Sequence, residues 1–192
     1  MSSAELSTLL EKLRLHSMST YQHSRNVSSL CWALGRGMGL LDKETALIAL
    51  AGLLHDIGKI RVRPSILHKA AKLTPDEWEI MRRHPDFGVE ILAARAKFKV
   101  ICPLVCHHHE RWDGKGYHGL AGDEIPLGSR IIALADAFDA MTSSRAYQYS
   151  KNLRDGIREL EQGAGTQFDP RLVELFFEIM PEILKRNSHQ AS

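Results

Sequence analysis

Apolar residues along this chain recur at three- and four-residue intervals, and strict alternation is rare. That spacing predicts helices and gives no sustained β signal. Glu5 to Leu15 carries Leu6, Leu9, Leu10 and Leu13 on one face. Tyr21 to Gly35 sets Val27, Leu30 and Leu34 on a second stripe, and His23 extends it toward the N-terminal end. Asp42 reads as the N-cap of a third helix, whose dense apolar run ends at Leu54. That helix delivers His55 and Asp56 at its C-terminal end, and Gly58 is expected to let the chain leave it.

Arg61 to Leu73 contains Pro64 and mixed residues, so a loop with a short turn is expected. Thr74-Pro75-Asp76-Glu77 combines a cap, a first-turn proline and a third-position glutamate, which together start a helix. Pro85 should break or restart that helix and leave His84 at a junction, aimed inward. Further helices are expected over Asp86 to Ala94, Val100 to His109, Ile125 to Tyr147, Asn152 to Glu161 and Pro170 to Lys185. Ile131, Ile132, Leu134, Ala135, Phe138 and Met141 give the longest of these a broad apolar arc, and Asp136 lies within it. With no repeat and no linker, residues 1–192 read as a single all-α helical bundle domain of about seven to eight helices. The polar residues 187–192 are expected to fray.

Composition narrows the partners. A 192-residue chain that is 44% hydrophobic can build a real core. A net charge of +2 with mixed signs gives no reason to expect a nucleic-acid polymer, and leaves an anionic ligand open. Three cysteines, Cys31, Cys102 and Cys106, suit the reduced thiols of a cytosol. Cys102 and Cys106 read as small buried thiols rather than ligands. The N-terminal stretch lacks a secretory h-region, and the longest apolar run, Ala46 to Leu54, is too short to span a bilayer. A cytoplasmic protein without a membrane partner is therefore expected.

The stretch His107 to Gly119 reads HHHERWDGKGYHG. Neutral imidazoles are the commonest metal ligands, so three in a row before a flexible polar loop suggest metal ions beside a substrate opening. An exposed polar helix end followed by a turn is the plainer alternative. His23, His55, Asp56, His84, His108, His109 and Asp136 come from five segments, each on an apolar stripe or at a helix junction. Singly, His23 reads as a satisfied core histidine, His55-Asp56 as a helix cap and Asp136 as the partner of an arginine. Together they are easier to satisfy with metal than with each other, because a buried unpaired carboxylate is costly. Imidazole and carboxylate donors suit iron, manganese or zinc. The carboxylate of Asp56 can bridge two ions, and Lys59 can neutralise phosphate oxygens or be an ordinary surface lysine. Helical spacing from Leu104 and Val105 selects His108 and His109 and turns His107 elsewhere. Asp139, one turn after Asp136, reads either as a helix-surface acid or as a group that orients a ligand or a water.

His23, HDIGK at 55–59, His84-Pro85, HHERWDGKGY at 108–117, LADAFDAMTSSRAY at 134–147 and QFDP at 167–170 together resemble the HD-GYP family. That family is a branch of the HD metal-dependent phosphohydrolases. The resemblance runs in order from about Ser19 to Phe177. It implies an all-helical fold with a buried cluster of two or three ions, usually iron or manganese. It also implies a cyclic di-GMP phosphodiesterase, yielding linear pGpG and sometimes GMP by attack of a metal-bridging hydroxide. By position, the seven residues match the metal ligands, with Asp56 as the bridge. Lys59 matches the lysine at the scissile phosphate, and Arg145 a basic substrate contact. Asp113, Gly114, Gly116 and Tyr117 match the loop that gives the family its name. The partners implied are a cyclic dinucleotide, a diguanylate cyclase, or a sensor or receiver domain.

Three positions depart from the pattern. Ser19 stands where trinuclear members carry glutamate, so two divalent ions are expected. His118 replaces the proline of GYP, which loosens the loop. Gln148 removes a charge that would hold an anionic substrate. Another cyclic dinucleotide, or a binding module without turnover, are the competing expectations. A module of that kind would be expected to have lost ligands.

Overall fold

A computed structural model describes residues 3–142 and 153–189. The described residues form α-helices and 3-10 turns, with one isolated bridge between Ala164 and Phe168. The helices are α1 (Ser3–His16), α2 (Met18–Gly37), α3 (Asp42–Leu54), α4 (Pro64–Leu67) and α5 (Pro75–Arg82). They continue with α6 (His84–Ala93), α7 (Cys102–Cys106), α8 (Leu127–Thr142), α9 (Leu153–Gly163) and α10 (Pro170–His189). Eight of the ten span eight residues or more, as the periodicity predicts. No helix among the described residues is long and apolar enough to cross a membrane.

Helix starts follow local chemistry. Ser17 caps α2 by accepting from the Thr20 N–H at 3.2 Å. Thr74 and Glu77 form the expected capping box, with Thr74 N–H donating to Glu77 Oε2 at 2.8 Å. Asp42 opens the first turn of α3 rather than capping it. Leu41 holds the cap position, and its N–H donates to Glu44 Oε2 at 3.1 Å. Asp169 caps α10 by accepting from the Arg171 N–H at 3.0 Å, which gives the QFDP stretch a structural task.

One apolar cluster joins Leu9 and Leu13 of α1, Leu34 of α2, Leu54 of α3, Ile131 and Leu134 of α8 and Phe176 of α10. Burying each such side chain contributes about 1.5–3 kcal/mol, which offsets the cost of the polar residues enclosed beside them. α2 packs along α3 and α8, and the remaining helices close around that pair of interfaces.

Three further expectations change. The helix predicted over Val100 to His109 is a 3-10 turn, Ala96–Ile101, followed by the five-residue α7. Pro103 suits a first turn but limits the hydrogen-bonded run behind it, so His108 and His109 lie in the turn after α7. Helix α10 continues through His189, into the stretch expected to fray. Gly58 has no left-handed backbone. A Cβ there would lie 1.9 Å from the His84 carbonyl oxygen, so the glycine lets α6 touch the 3-10 turn Ile57–Arg61.

Candidate metal centre

Five helical segments deliver the seven nominated residues to one place. α2 supplies His23, the end of α3 supplies His55 and Asp56, and the first residue of α6 supplies His84. The turn after α7 supplies His108 and His109, and α8 supplies Asp136. His23, His55, Asp56, His84 and His108 are buried, while the Asp136 side chain is 21% exposed.

The imidazoles are oriented by backbone carbonyls, each three residues back. His55 Nδ1 lies 2.7 Å from Gly52 O, His84 Nδ1 2.8 Å from Met81 O, and His108 Nδ1 2.7 Å from Val105 O. A carbonyl only accepts, so each Nδ1 carries the proton and each Nε2 turns a lone pair inward. His84 Nε2 sits 3.3 Å from His108 Nε2 and 3.1 Å from His109 Nε2. The lone pairs of His84 and His108 repel at that range unless an electrophile lies between them.

Asp56 divides the group in two. Its Oδ1 is 3.3 Å from His84 Nε2, while its Oδ2 is 3.4 Å from His55 Nε2 and 3.9 Å from His23 Nε2. Donor atoms of His84, His108 and His109 lie within 4.8 Å of one another, as do those of His23, His55 and Asp56. His55 Nε2 and Asp56 Oδ1 are buried without hydrogen-bond partners. Each orphan costs about 1–3 kcal/mol if nothing fills the gap, so this donor set fits metal ions.

Charge is unevenly spread over the centre. Burial raises the Asp56 carboxyl, but Lys59, His55 and His84 outweigh it and hold the group well below the usual range. Lys59 Nζ donates to Asp56 Oδ2 at 2.6 Å. Burial pushes His84 down to about 3 and His108 well below its ordinary value. His23 is the exception. Burial opposes its charge, yet Asp136 Oδ1 at 2.8 Å from Nε2 and Asp139 Oδ2 at 2.6 Å from Nδ1 raise it to about 9.

A cavity of about 180 Å³ opens beside the centre, lined by Ser17, Ser19, Thr20, His23, Asp56, Lys59, Leu67, His68 and Met81. Ser19 shares a hydroxyl cluster with Ser17 at 3.1 Å.

The glycine loop divides. Tyr117 lies against His109 with ring centroids 4.8 Å apart and planes tilted by 37°, and the Arg82 guanidinium lies over the Tyr117 ring, 4.6 Å from its centroid. Asp113 instead accepts from Arg111 at 2.8 and 3.0 Å and from the Lys115 N–H at 3.2 Å, which holds its carboxyl down to about 2. Gly114 continues that turn, its N–H donating to Arg111 O at 2.9 Å. Gly116 runs so close to Glu110 that a Cβ would meet Glu110 Cα at 2.5 Å. Arg145 and Gln148 lie outside the described residues.

Several participants escape the sequence reading. Glu110 is buried and accepts the His118 and Leu120 N–H groups at 2.7 and 3.0 Å, fixing the loop from within. Asn26 donates to Asp139 Oδ1 at 2.9 Å. Its place three residues after His23 gives no polar signature of its own. Ser17, Thr20 and His68 line the cavity without any motif. Cys102 and Cys106 are only partly buried, against expectation.

The chain belongs to the HD domain family, whose model matches residues 8–172. Its relatives bear out the HD-GYP resemblance. It is 39% identical over 183 residues to a cyclic di-GMP phosphodiesterase of Thermotoga maritima, covering 93% of this chain and 49% of that protein. It is also 39% identical over 179 residues to 3'3'-cGAMP-specific phosphodiesterase 2 of Vibrio cholerae serotype O1, covering 92% of this chain and 34% of that protein. An HDG"Y"P protein from Bdellovibrio bacteriovorus shares the fold, with a TM-score of 0.67 at 20% identity over 84% of this chain and 52% of that one. The chain thus spans half or less of the length of these curated relatives.

Proposed function

We propose that this chain is a metal-dependent phosphodiesterase that hydrolyses cyclic di-GMP to linear pGpG, with GMP as the onward product. Residues 1–192 act in this reading as one cytoplasmic domain, regulated by a diguanylate cyclase or a sensor or receiver domain. The observation that carries it is the split of Asp56. One oxygen faces His84 at 3.3 Å and the other faces His55 at 3.4 Å, between two groups of donors. That arrangement supports two divalent ions, iron or manganese, held by His23, His55, Asp56, His84, His108, His109 and Asp136. Such ions, when bound, lower the pKa of the attacking water and polarise the phosphoryl group.

The chain's own residues do the rest. Lys59 Nζ borders the cavity beside Asp56, where it would meet a non-bridging phosphoryl oxygen and the charge that develops there. The Nδ1 hydrogen bonds of His55, His84 and His108 fix those rings before substrate arrives, so no reorientation is needed in the transition state. Tyr117, packed against His109 and Arg82, holds the loop beside the centre, and Gly114 and Gly116 let the backbone approach substrate there. Asp113 shapes that loop through Arg111. Arg145 is assigned to the substrate by its motif position alone.

A second reading is hydrolysis of 3'3'-cGAMP, favoured by the Vibrio cholerae relative that carries that specificity in its name. Protein loaded anaerobically with iron or manganese should convert one of the two dinucleotides to linear product on chromatography, and Asp56→Asn should not. Equal inactivity toward both, with metal bound, would reject the phosphodiesterase assignment and leave a binding module.

A further inference from the structure

His118 stands where the family pattern has proline, and its ring does not point into empty solvent. It packs edge-on against His107, with centroids 5.2 Å apart and planes at 84°. Its Nε2 lies 3.9 Å from Cys106 Sγ. One donor atom from each of Cys106, His107 and His118 falls within 4.8 Å of the others. None of the three belongs to the seven-residue centre.

We propose that Cys106, His107 and His118 form a second metal site that takes one thiophilic divalent ion such as zinc. A thiolate with two imidazoles is a donor set of that class, and three protein ligands leave one tetrahedral position for water. Tetrahedral zinc with ordinary bond lengths sets sulfur and nitrogen roughly 3.6 Å apart. The observed 3.9 Å between Cys106 Sγ and His118 Nε2 is wider by only a few tenths of an ångström. Coordination replaces the thiol proton of Cys106, which leaves to solvent.

The backbone under these side chains is already fixed. The His107 N–H donates to Pro103 O at 3.2 Å, and Glu110 holds the His118 N–H at 2.7 Å. His107 Nδ1 is buried with no hydrogen-bond partner. His118 is exposed, so an ion can enter from solvent. An ion here ties the loop that carries Tyr117 to the end of α7, from which His108 and His109 follow.

Sulfur makes the site separable from its neighbour, because the seven-residue centre has no cysteine. Cobalt(II) added to metal-free protein should produce a near-ultraviolet sulfur-to-metal charge-transfer band. The band should persist in Cys102→Ser, vanish in Cys106→Ser, and weaken at least tenfold in cobalt affinity in His118→Pro. Zinc should bleach it. Circular dichroism checks that each variant is folded. Absence of the band from the unaltered protein overturns the proposal, as does its survival in Cys106→Ser or its indifference to His118→Pro.

Discussion

Asp139 Oδ2 lies 2.6 Å from His23 Nδ1, and the other oxygen of the same carboxylate accepts from Asn26 at 2.9 Å. Asp136, one helical turn earlier, meets the opposite nitrogen of the same ring at 2.8 Å. Two acids on one face of α8 thus hold one imidazole from both sides. Asp136 also approaches His55, at 3.9 Å. The geometry makes Asp139 a positioning residue for His23.

Asp139→Ala should weaken metal affinity about 10–100-fold while leaving helical content intact, and Asp139→Asn should lose less because its amide oxygen still accepts. Competition with a chelator measures this. Unchanged affinity in Asp139→Ala would reject the positioning role.

Lys59→Met should lower kcat/KM for the dinucleotide by about 10²–10³-fold with metal content unchanged. The pairing with Asp56 at 2.6 Å explains why metal content is the needed control. A variant that loses its metal in proportion to its activity would assign Lys59 to the centre's assembly instead.

Above about pH 6.5 the metal-free protein should lose stability as pH rises. His23 is raised from 6.5 to about 9 by burial being outweighed by its two carboxylates. Its contribution is fully present below pH 6.5 and is lost as pH rises through about 9, amounting to roughly 3 kcal/mol at most. Thermal unfolding of chelated protein between pH 6 and 10 should show the decline, and His23→Gln should flatten it. Metal must displace a proton from His23, so affinity should also climb over the same window.

Gly116→Ala should cut activity without unfolding the protein, because its Cβ would press the Glu110 backbone and push the loop outward. Glu110→Ala should act on the same loop and cost about 1–3 kcal/mol, since the His118 and Leu120 N–H groups lose their acceptor. Full activity in Gly116→Ala would show that the loop's path does not matter to turnover.

Periodicity, caps and motif order determine most of what is seen here. Leu9, Leu13, Val27, Leu34 and Ile131 are buried as their spacing requires, because a helix buries whatever repeats at 3.6 residues. The capping box at Thr74 and the seven converging ligand candidates are equally legible, since each depends on residue type at a local position. Tertiary structure alone decides the rest. Asp139 could be a surface acid until α2 packs on α8 and brings His23 to it across 116 positions. Glu110 becomes the anchor of a loop, and Cys106, His107 and His118 become neighbours, only when the chain folds back after α7. Local sequence sets which side chains a helix presents. Which of them meet is set by how those helices pack, and no single segment contains that information.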